Sequence, residues 1–237
     1  MNGTRFGLRR QRRFFVRIYK NQTVYDATIA RLNWIYDEFP NVVVSVSGGK
    51  DSTVVFEMTL EVARERGRLP LNVMWIDQEG EWESTVEQNR YMMYHPDVKP
   101  YWMQIPMVLF NATSVHGHWL RCWDPTQQDL WIHEQDPISY KENIYGTDRF
   151  AALFGAIIMK EFRGIPTACL GGVRAEESPT RVVSLTYAAT YKWVTWGKQY
   201  SVKERQYAFY PIYDWSYTDI WKAIHDHQWR YNTLYDM

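Results

Sequence analysis

The residues best suited to chemistry form one short string, Ser47-Gly48-Gly49-Lys50-Asp51-Ser52. Two successive glycines let backbone amides approach an anion with no Cβ in the way. Lys50 adds a positive point charge, and Ser47 and Ser52 add hydroxyl donors. A helix starting here would add unpaired N–H groups and a positive dipole end to the same nest. Each charge-assisted hydrogen bond of this kind contributes about 1.5–3 kcal/mol, so several together hold a phosphate or pyrophosphate. Asp51 is negative where an anion would sit, so it is expected to orient Lys50 or to hold a metal ion, Mg²⁺. The string matches neither GxxxxGK[ST] nor GxGxxG.

A second constellation is Gly171-Gly172-Val173-Arg174-Ala175-Glu176-Glu177-Ser178-Pro179-Thr180-Arg181. Arg174 and Arg181 offer planar forks that could converge on one phosphate or sulfate, with Glu176 orienting Arg174. A surface ion-pair network is the alternative. Asp77, after an apolar run, is placed to meet a ribose, an adenine edge or a metal, or simply to make a soluble turn. Of two cysteines, Cys169 reads as buried and inert, while Cys122 stands beside Arg121, which could lower its pKa. His116 and His118, with His133, invite a metal reading without helical ligand spacing. The tracts Trp119–Trp131 and Trp193–Trp196 could stack on bases or pack a core and lid.

The elements needed to position these groups are legible in outline. Ile29, Leu32 and Ile35 predict a helix from Val24 to Phe39. Val42–Val46 is a β-branched run suited to a strand buried on both faces. A second helix ends near Gly67, and a second strand spans Leu71 to Ile76. Strand, crossover helix and strand imply a parallel sheet. Further expectations are a helix Glu83–Tyr94, a strand Tyr101–Ile105, and a helix capped by Thr147 that runs to Gly164. Thr167–Leu170 reads as a strand, and Ser216 with Asp219 as a capping box that starts a last helix. Residues 106–146 lack periodicity and are expected to form a lid or substrate cap. The fold class expected is α/β: an open, mainly parallel twisted sheet with helices on both faces. Its ligand would sit beyond the carboxyl ends of the strands.

The 237 residues are expected to form residues 1–23 as an N-terminal arm and 24–237 as one domain. Lys plus Arg and Asp plus Glu number 27 each, so the whole chain offers no field for an anionic surface. No apolar run is long enough to span a bilayer, and the basic start lacks a secretory apolar stretch. A cytoplasmic location is expected, with no membrane partner. Seven of the basic residues and no acid lie within residues 5–20, however, and the remainder carries a net −7. That arm could meet nucleic acid or an acidic protein partner, or simply be solvated. A homodimer is the other assembly considered.

The string Ser47–Ser52 resembles the pyrophosphate-binding signature of the PP-loop superfamily, the adenine nucleotide α-hydrolase-like, Rossmann-like fold. Within it the chain is similar to the phosphoadenosine phosphosulfate (PAPS) reductase branch. Gly172, Arg174, Glu176, Ser178 and Arg181 fall on that branch's G-x-R-x-E-x-S-x-x-R segment. Pro211, Trp215, Ser216, Asp219 and Trp221 fall on its closing element, so the likeness runs from about residue 24 to 227. The resemblance implies that Ser47 to Ser52, Asp77, Gly172, Arg174, Glu176, Ser178 and Arg181 bind an adenine nucleotide, ATP or PAPS. Lys50, Asp51 and Arg174 would then be the catalytic groups. The Glu-Cys-Gly-x-His segment of true reductases does not occur in these residues. Cleavage of ATP between the α- and β-phosphates, to AMP and pyrophosphate in sulfur-related chemistry, is therefore the leading expectation. PAPS reduction through Cys122 or a partner thiol is an alternative. A nucleotide-binding subunit of a DNA phosphorothioation-like system is another.

Overall fold

The computed structural model describes residues 20–113, 115–187, 190–201 and 206–237. All of the basic arm except its last residues, from Lys20 on, lies outside them, as does its expected partner surface. Six strands form one sheet in the order β3-β2-β1-β6-β8-β7. They are β1 (Asn41–Ser45), β2 (Leu71–Ile76), β3 (Val98–Met103), β6 (Thr167–Leu170), β7 (Gly197–Ser201) and β8 (Gln206–Phe209). Every pairing is parallel except β7 with β8. The expected fold class is the one observed.

Alternation along β1 divides the core. Val42, Val44 and Val46 face one cluster, packed by α1 (Val24–Glu38), α2 (Lys50–Glu65), α3 (Glu83–Met93) and α6 (Tyr217–His227). Val43, with Met74 and Cys169, faces a second cluster beneath α4 (Phe150–Phe162). Burial on both faces explains why β1 reads as an unbroken β-branched run. The strand order reverses direction between β1 and β6, so the loops after these two strands open onto one crevice.

Residues 106–146 are more regular than expected. They contain an antiparallel hairpin of β4 (Met107–Phe110) and β5 (Trp119–Cys122), registered from Met107 with Cys122 to Phe110 with Trp119. Trp123 anchors the segment, donating its indole N–H to the Asp77 carbonyl at 2.8 Å and its backbone N–H to Glu79 at 2.6 Å. Thr147 is not the cap of α4; that position belongs to Arg149. The strands β7 and β8 and the helix α5 (Pro179–Tyr187) had no counterpart in the sequence reading. Among the described residues no helix is long and apolar enough to cross a membrane.

Candidate functional site

The turn after β1 enters α2 through Gly48 and Gly49. Gly48 has φ +69°, and a Cβ there would come within 2.9 Å of the Thr85 carbonyl oxygen and the Asn89 amide nitrogen, both on α3. Glycine is required for that left-handed, crowded position. Gly49 caps α2 without any side-chain hydrogen bond, so the first N–H groups of the helix are left for another acceptor. Ser52 closes the turn from inside: its hydroxyl donates to the Gly49 carbonyl at 2.9 Å and accepts the Ser47 N–H at 3.2 Å. Lys50, Asp51 and Ser52 thus stand on the first helical turn rather than in a loop.

The loop after β6 meets the same turn. A Cβ on Gly172 would lie 2.7 Å from the Asp51 carbonyl carbon and the Ser52 nitrogen, so only glycine allows this approach. Arg174 follows, buried, with its Nε against Asp51 Oδ1. Asp51 Oδ2 holds the Lys50 ammonium at 2.8 Å. Asp51 therefore orients both cations. Each of its carboxylate oxygens is engaged by a cation, which is the orienting role expected of it. Among the described residues no cluster of three or more His, Cys, Asp or Glu is arranged for a metal ion, His116, His118 and His133 included.

The two arginines differ in setting. Arg174 Nη1 donates to the Trp215 carbonyl at 3.5 Å and lies 3.8 Å from Glu176. Arg181 is exposed on α5, 3.3 Å from Glu177, and Ser178 Oγ accepts the Arg181 N–H at 3.3 Å. Arg174 ties the β6 loop to α2 through Asp51. Glu176 also accepts the Tyr217 N–H at 3.1 Å, which joins this loop to the start of α6.

Asp77 is fully buried. It accepts from the indole of Trp102 at 3.0 Å, the amide of Gln104 at 2.9 Å and the Glu79 N–H at 2.8 Å. Burial raises its carboxyl above the ordinary range, against the opposing pull of these donors. It fastens the insertion to the sheet and offers no exposed oxygen to a ribose. Cys122 is also buried, and its thiol is pushed up to about 11 by desolvation and by Glu79 and Asp77. Its expected helper, Arg121, pairs instead with Asp124 at 3.8 Å. Cys169 is pushed up to about 12 by burial alone. Trp123 and Trp196 are core residues, packed against Trp131 and Phe209.

Three residues of this region carry no motif. Asn232, buried, donates to the Gly48 carbonyl and to Thr85 Oγ1, each at 3.0 Å. Tyr235 Oη accepts the Lys50 N–H at 3.3 Å. Asn89 is fully buried behind Gly48, and neither of its amide atoms has a partner among the described residues. The sequence held a signal only for Asn89: with Thr85 and Gln88 it puts polar groups on the inward stripe of a helix. Asn232 caps, and Tyr235 lies on, a 3₁₀ turn, Thr233–Asp236, remote in sequence from the string that they touch.

The sequence profile of the phosphoadenosine phosphosulfate reductase domain matches residues 41–111 and 133–237. The uncharacterized protein YbdN of Escherichia coli strain K12 is 28% identical over 232 residues, which is 90% of this chain and 54% of that protein. The chain thus spans about half the length of this curated relative. The FMN adenylyltransferase of Candida glabrata is similar in structure, with a TM-score of 0.56 at 13% identity over 90% of this chain and 57% of that one. The phosphoadenylyl-sulfate reductase of Candida auris, solved with phosphate, gives 0.48 at 14% identity over 91% and 85%. With its parallel sheet, its glycine turn at the crevice and a matching profile over most of its length, the chain belongs to the phosphoadenosine phosphosulfate reductase domain family, of the PP-loop, adenine nucleotide α-hydrolase-like fold.

Proposed function

We propose that the chain binds ATP with its linked phosphoryl groups on the turn Ser47–Ser52 and catalyses displacement at the α-phosphorus. An acceptor oxygen bonds to that phosphorus, the α–β bridging bond breaks, and its electron pair leaves on pyrophosphate. Water as acceptor yields AMP. The observation that carries this reading is the start of α2, entered through Gly48 and Gly49 at the sheet's switch point, with Lys50 on its first turn. Its cap residue, Gly49, has no side chain to bond the first N–H groups. Amide donors, dipole and ammonium together stabilise charge on the departing pyrophosphate. Asp51 holds the ammonium in place, and Arg174 holds Asp51. In one structure the similar adenylyltransferase carries FAD and inorganic pyrophosphate, the kind of product pair this chemistry leaves.

Both cysteines of the chain are buried, and burial pushes their thiols above the ordinary range, which disfavours the thiolate. This favours nucleotidyl chemistry over reduction by a thiol of the chain itself. The test is ³¹P NMR of the full chain with MgATP. AMP and pyrophosphate are expected, with turnover falling at least 10²-fold in Lys50→Ala, the scale seen on losing one preorganised donor. ADP and inorganic phosphate as products would overturn the reading. Sulfite released from PAPS with an added protein thiol, without turnover of ATP, would replace it with reduction through a partner.

A further inference from the structure

We propose that Tyr235 is a phosphoryl-binding residue, delivered into the glycine turn by the 3₁₀ turn Thr233–Asp236; this rests on the reading of Ser47–Ser52 as a polyphosphate cradle. Its hydroxyl oxygen lies 3.3 Å from the Lys50 nitrogen and 3.5 Å from where a Gly49 Cβ would stand. That places it against an amide that an anion at the start of α2 would use. At 3.3 Å the bond is long for N–H···O, and a phosphoryl oxygen accepting at about 2.8 Å would displace it. The hydroxyl proton of Tyr235 has no acceptor among the described residues, and the side chain is partly exposed at the mouth of the turn. A carboxylate or carbonyl in this place would repel an incoming phosphate. A phenol can instead turn from acceptor to donor and bond the same oxygen.

The position is built rather than incidental. Asn232 pins the segment to Gly48 and Thr85, and its Oδ1 accepts the Leu234 N–H at 2.9 Å. Tyr231 donates to Asp236 at 2.9 Å, and the Trp221 ring packs edge-on to Tyr235 with centroids 5.4 Å apart. The Tyr235 ring lies 5.3 Å from the Lys50 ammonium, and the Tyr217 ring lies 5.6 Å from it. Two aromatic faces therefore keep the cation beside the hydroxyl. Asn89, its fully buried amide unpartnered among the described residues, lies directly behind Gly48.

Isothermal titration of the full chain with inorganic pyrophosphate and with ATP tests this. Tyr235→Phe keeps the ring on Trp221 and Lys50, so its melting temperature without ligand should match that of the parent chain. Its affinity for pyrophosphate should fall about tenfold or more, the scale of one charge-assisted hydrogen bond. Tyr235→Leu, which also removes the ring, should lose more. Equal or tighter binding by Tyr235→Phe would overturn the proposal and make the phenol a mere placeholder. If the parent chain binds neither pyrophosphate nor ATP, the cradle itself is refuted, and the proposal with it.

Discussion

At the scale of single residues, the site turns on a triad of half-buried Lys50 with buried Asp51 and Arg174. One carboxylate between two cations leaves the group net positive, which suits an anion site. It also means that no member can be removed quietly. Breaking a buried pair strands a charge and costs about 3–5 kcal/mol. Arg174→Ala should therefore lower the unfolding free energy by that much, read as a shift in the urea midpoint. Arg174→Lys should restore only part of it, because a point charge cannot reach both Asp51 and the Trp215 carbonyl. An unchanged midpoint for the alanine variant would show that the pair does not hold the loop. The roles expected from sequence survive selectively: Asp51 as the orienting group and Glu176 beside Arg174 are found, whereas Asp77 is a buried anchor for Trp102, Gln104 and Glu79. Sequence spacing placed Asp77 at the end of a strand but could not show which way its carboxylate turns.

At the scale of elements, the critical joint is the contact of the β6 loop with the first turn of α2. The atoms that a Gly172 Cβ would meet are backbone atoms of Asp51 and Ser52, which cannot swing aside as a side chain can. Gly172→Ala should push the two segments apart and weaken ATP binding at least tenfold by titration calorimetry. Gly146→Ala, with nothing within 4 Å, should leave affinity unchanged despite the strain of its φ of +74°. Equal losses in both variants would show that the close approach has no part in binding. The elements legible in sequence are those whose pattern records their burial: β1 by its valines, and α6 by the Ser216–Asp219 box, which forms as expected. Elsewhere a local signal misled. The chain enters β3 at Val98, three residues before the expected start, because Pro100 is tolerated on a strand at the sheet's edge. The strands β7 and β8 are short, and their buried Lys198 and Gln206 hid them from any apolar pattern. The crevice itself was legible only as far as its two loops, since Asn232 and Tyr235 reach it through tertiary packing alone.

At the scale of the molecule, stability and the site share the α2–α3 layer, and that layer carries a titratable strain. Glu57 on α2 is held mostly out of water, with Oε1 unpartnered among the described residues. Burial pushes its carboxyl up to about 7, against the attraction of Arg64 and the hydrogen bond from Tyr91. The folded chain therefore keeps a proton there that the unfolded chain releases near the ordinary glutamate pKa of about 4.3. Stabilisation from this group is complete below that value and is lost as pH rises to about 7. Asp77 and Glu81, also raised by burial, act in the same direction. His95 is lowered by burial and by Arg64, so it opposes them below the ordinary histidine pKa of about 6.5. The contribution of Glu57 is isolated by comparing the parent chain with Glu57→Gln, which cannot ionise. Calorimetric melting between pH 5 and pH 7.5 should show the parent losing about 1–3 kcal/mol more than the variant. At roughly 2–4 °C per kcal/mol for a chain of this size, the difference is readily measured. Parallel melting curves across that range would place the ionised carboxylate in water and remove the strain from α2.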